Sequence, residues 1–397
     1  MTGTSETARA FRGPAVFSWG FRPFFLAAAL WGVVAMLLWL PVFEGHLQLP
    51  TAFSPVDWHV HEMLFGFAPA VIGGFLLTAI PNWTGRLPVV GAPLAGLVGL
   101  WAAGRIAVAG SALWGPAAAG VVDVAFLVTM AAVAAREVHA AGNLRNLPVV
   151  AMVLVLGLAN GAFHAEAAIT GTASVATRAG FSVVLMLIGL IGGRIVPSFT
   201  QNWLARNGKA TIKPAPFGRF DKAAMAVMGL GLLAWTVRPE GLFTAAALAA
   251  AAAASAARLA RWKGFHTVPD RLVLVLHVGY GFLPVGFLLA ALHAAAPGTV
   301  SSAAGFHAFG IGAIGTMTLA VMTRASLGHT GRPLVASRAT QALYAAIVGA
   351  AAARVAMAFA PDGFVLMHVA ALGWIVAFGT FLGAYGPLLG RRRPATA

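Results

Sequence analysis

About twelve times along this chain the sequence stays apolar for roughly 20 residues, the length of helix that crosses a hydrocarbon layer ~30 Å thick. These runs fall at 22–43, 58–81, 89–109, 116–135, 147–169, 179–200, 220–237, 241–259, 270–294, 302–323, 337–359 and 363–389. The recurrence restricts the fold to an all-α, polytopic membrane protein with about 12 transmembrane helices. Composition agrees: 59% of residues are hydrophobic and 9% charged, with mean hydropathy +0.85. Soluble domains carry about 25% charged residues. Abundant alanine and glycine suit helices packed closely in lipid. The alanine run at 245–254 leaves the seventh and eighth spans the least defined. We expect one integral membrane domain over 1–397. Its cytoplasmic parts are an N-terminal segment at 1–21, a basic loop at 205–219 and a tail at 390–397.

A net charge of +15 would suit nucleic acid, but its distribution points to a bilayer instead. Of 26 Lys and Arg, 21 fall in alternate loops and at the two termini. Only Arg105, Arg178, Arg238 and Arg354 fall on the other side, and Arg194 lies inside the sixth run. By the positive-inside rule both termini are cytoplasmic and the number of spans is even, as in a multi-pass protein of the bacterial inner membrane. The opening "MTGTSETARAFRGP" leads straight into a full-length span and lacks the features of a cleavable signal.

Parts of the sequence repeat. His61 and His307 are 246 residues apart, each precedes a "TGR" at the same spacing, and Gly66 and Gly312 keep that register. A fainter echo links "GGFLLTAIPNW" at 73–83 with "GGRIVPSFTQNW" at 192–203. Spans two, six and ten are four apart, which predicts three four-helix units in pseudo-threefold packing. Chance similarity among Gly- and Ala-rich helices is the other explanation.

The charge pattern gives each histidine a depth. His59 and His61 open the second span, His164 lies late in the fifth, and His307 and His368 lie about one turn into the tenth and twelfth. All five reach a similar level near the periplasmic face, accompanied by Glu62 and Glu166. Any one alone suits a hydrogen bond to a carbonyl at a helix end. Five on one level point to a metal or haem site, because ionisable groups in a bilayer are costly and neutral imidazole ligates both. Residues two apart on a helix point roughly 200° apart, so His59 and His61 face different neighbours. With no cysteine, disulfides, thiolate ligation and cysteine-held clusters are excluded. Met63 is a possible soft ligand, though methionine more often packs. His277, near Tyr280, reads as structural or as a second site.

Arg105 and Arg354 sit in apolar sequence near the outer ends of their spans. A buried guanidinium wants a bidentate anion. Haem propionates would serve, as would lipid phosphate reached by snorkelling. Arg194, with Gln201 and Asn202 beyond it, is expected to pair structurally or to line a polar cavity. No phosphate-binding loop or catalytic triad is present.

The stretches "GFRPFFL" at 20–26, "WHVHEMLFGF" at 58–67, "GGFLLTAIPNWTGR" at 73–86 and "GGRIVPSFTQNWL" at 192–204 resemble the NnrS family over the full length of the chain. The resemblance implies a polytopic membrane protein containing haem and copper, with a role in the response to nitric oxide and relief of nitrosative stress. It implies no particular reaction. The four-helix periodicity additionally resembles haem–copper oxidases and nitric oxide reductases, as fold-level analogy. This chain departs from them in placing its paired histidines on span two and none on span six.

The resulting expectation is a protein that binds nitric oxide and reduces or oxidises it, with haem b and copper as cofactors. His59 and His164 are the expected haem ligands, with Arg105 and Arg354 as cofactor anchors. His61, His307 and His368 are expected to hold copper or a second haem, and Glu62 to pass protons or orient His61. Electrons would come from quinol or another membrane donor. Two alternatives remain open at this point. One is a transporter or metal-delivery permease, whose sites tend toward the midplane. The other is a nitric oxide sensor without turnover.

Overall fold

The computed structural model describes residues 11–360 and 363–392. The chain ends beyond these, including Arg9 and Arg393 of the charge pattern, lie outside the described residues. Twelve helices are long and apolar enough to span a membrane, one for each predicted run. They are α1 (Phe21–Phe43), α2 (Pro55–Thr84), α3 (Ala92–Ala109), α4 (Pro116–Ala140), α5 (Leu144–Thr170), α6 (Ser174–Arg206), α7 (Arg219–Val237), α8 (Leu242–Arg261), α9 (Arg271–Ala295), α10 (Ser302–His329), α11 (Arg338–Phe359) and α12 (Phe364–Gly390). No strand occurs among the described residues. The protein is an all-helical, multi-pass membrane protein.

The helices pack as two compact units. The first comprises the described chain up to Gly180, with Ala325–Arg332 and the chain from Phe381 onward; the second comprises Phe181–Arg324 and Pro333–Thr380. In the first unit α1 lies against α2 through Phe24 and Phe25, both fully buried. A Cβ at Gly74 would come within 2.8 Å of the Phe25 ring, so only glycine allows this approach. Arg22 closes the unit by donating to the carbonyls of Leu389 (2.8 Å) and Arg391 (2.7 Å), placing a cation at the C-terminal end of α12. Leu37, Ile106, Val121 and Leu158 remain largely exposed on the helix surfaces, where lipid would cover them.

The second unit is built around a buried cation. Arg258 of α8 donates to Asp221 of α7 (3.0 Å), to the Tyr280 hydroxyl of α9 (2.8 Å) and to the Gly189 carbonyl of α6 (3.0 Å). Three neighbouring helices thus supply acceptors to one guanidinium, as burial of a charge demands.

Two backbone features follow the 246-residue repeat. A π-helical segment starts directly after His61, at Glu62–Phe67, and another directly after His307, at Ala308–Gly315. Left-handed glycines end the corresponding helices at Gly85 (φ 68°) and Gly331 (φ 72°). π-helical turns are rare and frequently mark functional sites.

Candidate metal centre

The site is built from the start of α2 outward. Ser54 caps this helix, accepting from the Asp57 N–H (3.2 Å) and donating to its carboxylate (2.7 Å), with Pro55 at the first helical position. Asp57 then accepts from the Thr172 hydroxyl (3.1 Å) and the Ala173 N–H (3.3 Å) in the connection between α5 and α6. The start of α2 is therefore held beside the end of α5. That juxtaposition brings His61 to His164, whose ring centroids lie 5.0 Å apart.

Asp123 of α4 joins them. One of its oxygens, Oδ2, lies 3.1 Å from His61 Nε2, 3.1 Å from His164 Nε2, and accepts from the Asn160 amide at 2.7 Å. One donor atom from each of His61, Asp123 and His164 lies within 4.8 Å of the others. His61 is fully buried and Asp123 and His164 nearly so. Gly120, one turn before Asp123, makes room for the third ligand: a Cβ there would come within 3.1 Å of the His164 ring.

A second layer of charge holds the first. His61 Nδ1 lies 3.2 Å from Glu62 Oε1. The other Glu62 oxygen accepts from Trp31 Nε1 of α1 (2.7 Å) and Arg105 Nη1 of α3 (2.6 Å). Arg105 also donates through Nη2 to Asp123 Oδ1. Its guanidinium is 4% exposed and bridges both carboxylates. Gly66, in the π-helical turn, is where Arg105 enters: a Cβ would meet Arg105 Nη1 and lie 2.7 Å from Glu62 Oε2. Phe53, Phe65 and Phe163 enclose His61, with centroids 5.1, 5.5 and 5.2 Å from its ring.

This donor set suits a small transition-metal ion. Two imidazole nitrogens and a carboxylate oxygen converge, and imidazole serves copper, zinc and iron alike. With neutral imidazoles, two carboxylates face one guanidinium, leaving one negative charge for a bound cation or a proton to balance. A porphyrin fits less well. The expected haem pair is not brought together: His164 lies against His61 and Asp123, while His59 packs on Trp39.

The remaining expected residues make other contacts. His164 partners His61 and not His59, whose ring packs on Trp39 at 4.3 Å between centroids. In the second unit His307 Nδ1 donates to the Ala303 carbonyl (2.8 Å) and His368 Nδ1 to the Phe364 carbonyl (3.0 Å). Arg354 is half-buried on α11. Glu166, grouped by depth with the histidines, caps α6 by accepting from the N–H groups of Ser174, Val175 and Ala176. For Arg105, carboxylates of the chain itself occupy the place expected for propionates. Arg194 lines a pocket of mixed polar and apolar character. His277 Nε2 lies 2.8 Å from the Thr200 hydroxyl.

Asp123 and Asn160 were not singled out by sequence reasoning. A signal for Asp123 exists, since it is a lone carboxylate within the apolar fourth run. Asn160 lies four residues before His164, on the same helix face. The family model described as NnrS protein matches residues 15–393. No curated protein sequence matches the chain.

Proposed function

This chain belongs to the NnrS family, and from that premise we propose that it is a membrane metalloprotein of the nitric oxide response, holding copper through His61, His164 and Asp123. The observation that supports this reading most is the convergence of those three buried ligand atoms within 4.8 Å. Copper bound there would supply one-electron redox chemistry and a coordination position for nitric oxide.

The chain's own residues have separate tasks in this reading. With copper bound, Glu62 would accept the Nδ1–H of His61, and Nε2, which in the structure lies 3.0 Å from Asn160 Oδ1, would be the ligating atom. Arg105 donates to both carboxylates and fixes them in position. Asn160 holds Asp123 by its amide. Phe53, Phe65 and Phe163 pack around His61 and shield the site from water.

Haem, implied by the family, would draw on histidines outside this cluster. His307 is the one we favour: its Nδ1–H bond to Ala303 would leave Nε2 to hold the group. We place the protein in the inner membrane with both termini cytoplasmic, on the distribution of Lys and Arg. Quinol or another membrane donor would supply electrons for turnover.

The test is an optical and electron-paramagnetic spectrum of purified protein, dithionite-reduced, before and after nitric oxide. A signal perturbed by nitric oxide in the wild type and lost in His164→Ala supports the reading. Spectra indifferent to nitric oxide, in protein shown to retain metal, would refute it and favour transport, to be followed by copper-uptake assays.

A further inference from the structure

The second unit contains a pocket, lined by both polar and apolar side chains, that the metal reading does not use. Its volume is about 430 Å³, and Arg194, Ser198, Gln201, Asn202, Lys213 and Phe217 line it together with three prolines. On α6, Ser198 lies four residues after Arg194 and three and four before Gln201 and Asn202, so these side chains border one side of the helix. The segment between α6 and α7 supplies the opposite wall. It folds back because the Ala215 N–H donates to the Arg261 carbonyl at the end of α8 (3.1 Å) and Asp221 accepts from the Gly218 N–H (3.0 Å). This sets the Phe217 ring against the Arg194 guanidinium, 5.7 Å from the ring centroid. Lys213 is carried on the exposed rim.

The lining has one chemical character. It presents a guanidinium, an ammonium, two side-chain amides and a hydroxyl, and no carboxylate. Arg and Lys together favour a ligand with two negative charges or several acceptor oxygens, and a guanidinium meets phosphate through paired donors. A phosphate group needs the space of roughly two or three waters, each about 30 Å³. The remaining volume is walled by prolines and Phe217. We propose that this pocket binds a phosphate-bearing organic anion, with its phosphate on Arg194 and Lys213 and its organic part against Phe217 and the prolines. An anionic phospholipid headgroup and a soluble organic phosphate share this chemistry. The inference is independent of the metal site.

The experiment is calorimetric titration of the full-length protein in a neutral detergent. Glycerol 3-phosphate and short-chain phosphatidylglycerol are the two probes, with short-chain phosphatidylcholine as the zwitterionic control. Saturable binding is expected for at least one anionic probe, weakened roughly tenfold or more in Arg194→Gln/Lys213→Gln, as for loss of hydrogen bonds to a charged group. Lys213→Gln alone alters only the exposed rim, preserves folding and weakens binding by about threefold. Saturation by glycerol 3-phosphate identifies a soluble ligand; saturation by phosphatidylglycerol alone identifies a lipid. Absence of saturable binding by both probes, equal binding of phosphatidylcholine, or unchanged affinity in Lys213→Gln overturns the proposal.

Discussion

Replacing Arg105 by methionine removes the one cation shared by two buried carboxylates while keeping an unbranched stem in its place. In the native protein Arg105 donates to Glu62 at 2.6 Å and to Asp123, and all three groups are at most 4% exposed. The variant leaves Glu62 and Asp123 near each other without a compensating guanidinium. Breaking a buried pair by removing one partner costs about 3–5 kcal/mol. That corresponds to roughly two to four decades in the folded-to-unfolded ratio. The assay is reversible unfolding in mixed micelles, followed by tryptophan fluorescence. Adding Glu62→Gln to Arg105→Met should recover a large part of the loss, because only one uncompensated carboxylate then remains. An Arg105→Met protein as stable as the wild type would refute the reasoning. So would a double variant less stable than Arg105→Met alone.

Three further outcomes follow from the same geometry. Glu62→Gln takes the charged acceptor from His61 Nδ1 and should weaken copper binding 10- to 100-fold, roughly the scale of outer-sphere changes, measured by competition with a chromogenic chelator. Gly66→Val places a side chain against Arg105 and Glu62; it should destabilise by about 1–3 kcal/mol and lower copper occupancy, read by unfolding and metal analysis on one preparation. Arg258→Met strands Asp221 in the second unit and should cost about 3–5 kcal/mol of stability. In folded Arg258→Met protein the copper affinity should be unchanged, which separates the two buried ion networks.

The membrane architecture was legible because length and hydropathy of each run carry it directly, and α1 to α12 all coincide with predicted runs. His61 was legible because an imidazole at the start of an apolar run is a costly choice. Its partners were harder to read. Which face of α2 meets α4 and α5 depends on packing, including the Phe25–Gly74 approach and the Asp57 link to Ala173. No local pattern encodes that rotation, so depth alone grouped His59 with His164 and placed Glu166 beside them. Asp57 likewise gives no sign in sequence that it reaches the connection between α5 and α6. Asp123 was within reach of the rule that intramembrane carboxylates mark sites. Arg105 was recognised as buried and in need of an anion. That the anion belongs to the chain itself becomes visible only when α2, α3 and α4 are assembled.

The central claim is that His61, His164 and Asp123 hold one metal ion. The most direct measurement is copper stoichiometry by mass spectrometry on purified wild type and on His61→Ala, His164→Ala and Asp123→Asn, each confirmed as folded in the membrane. The account predicts bound copper in the wild type and its loss from this site in all three variants. Wild-type copper content retained in folded His61→Ala and His164→Ala would contradict it.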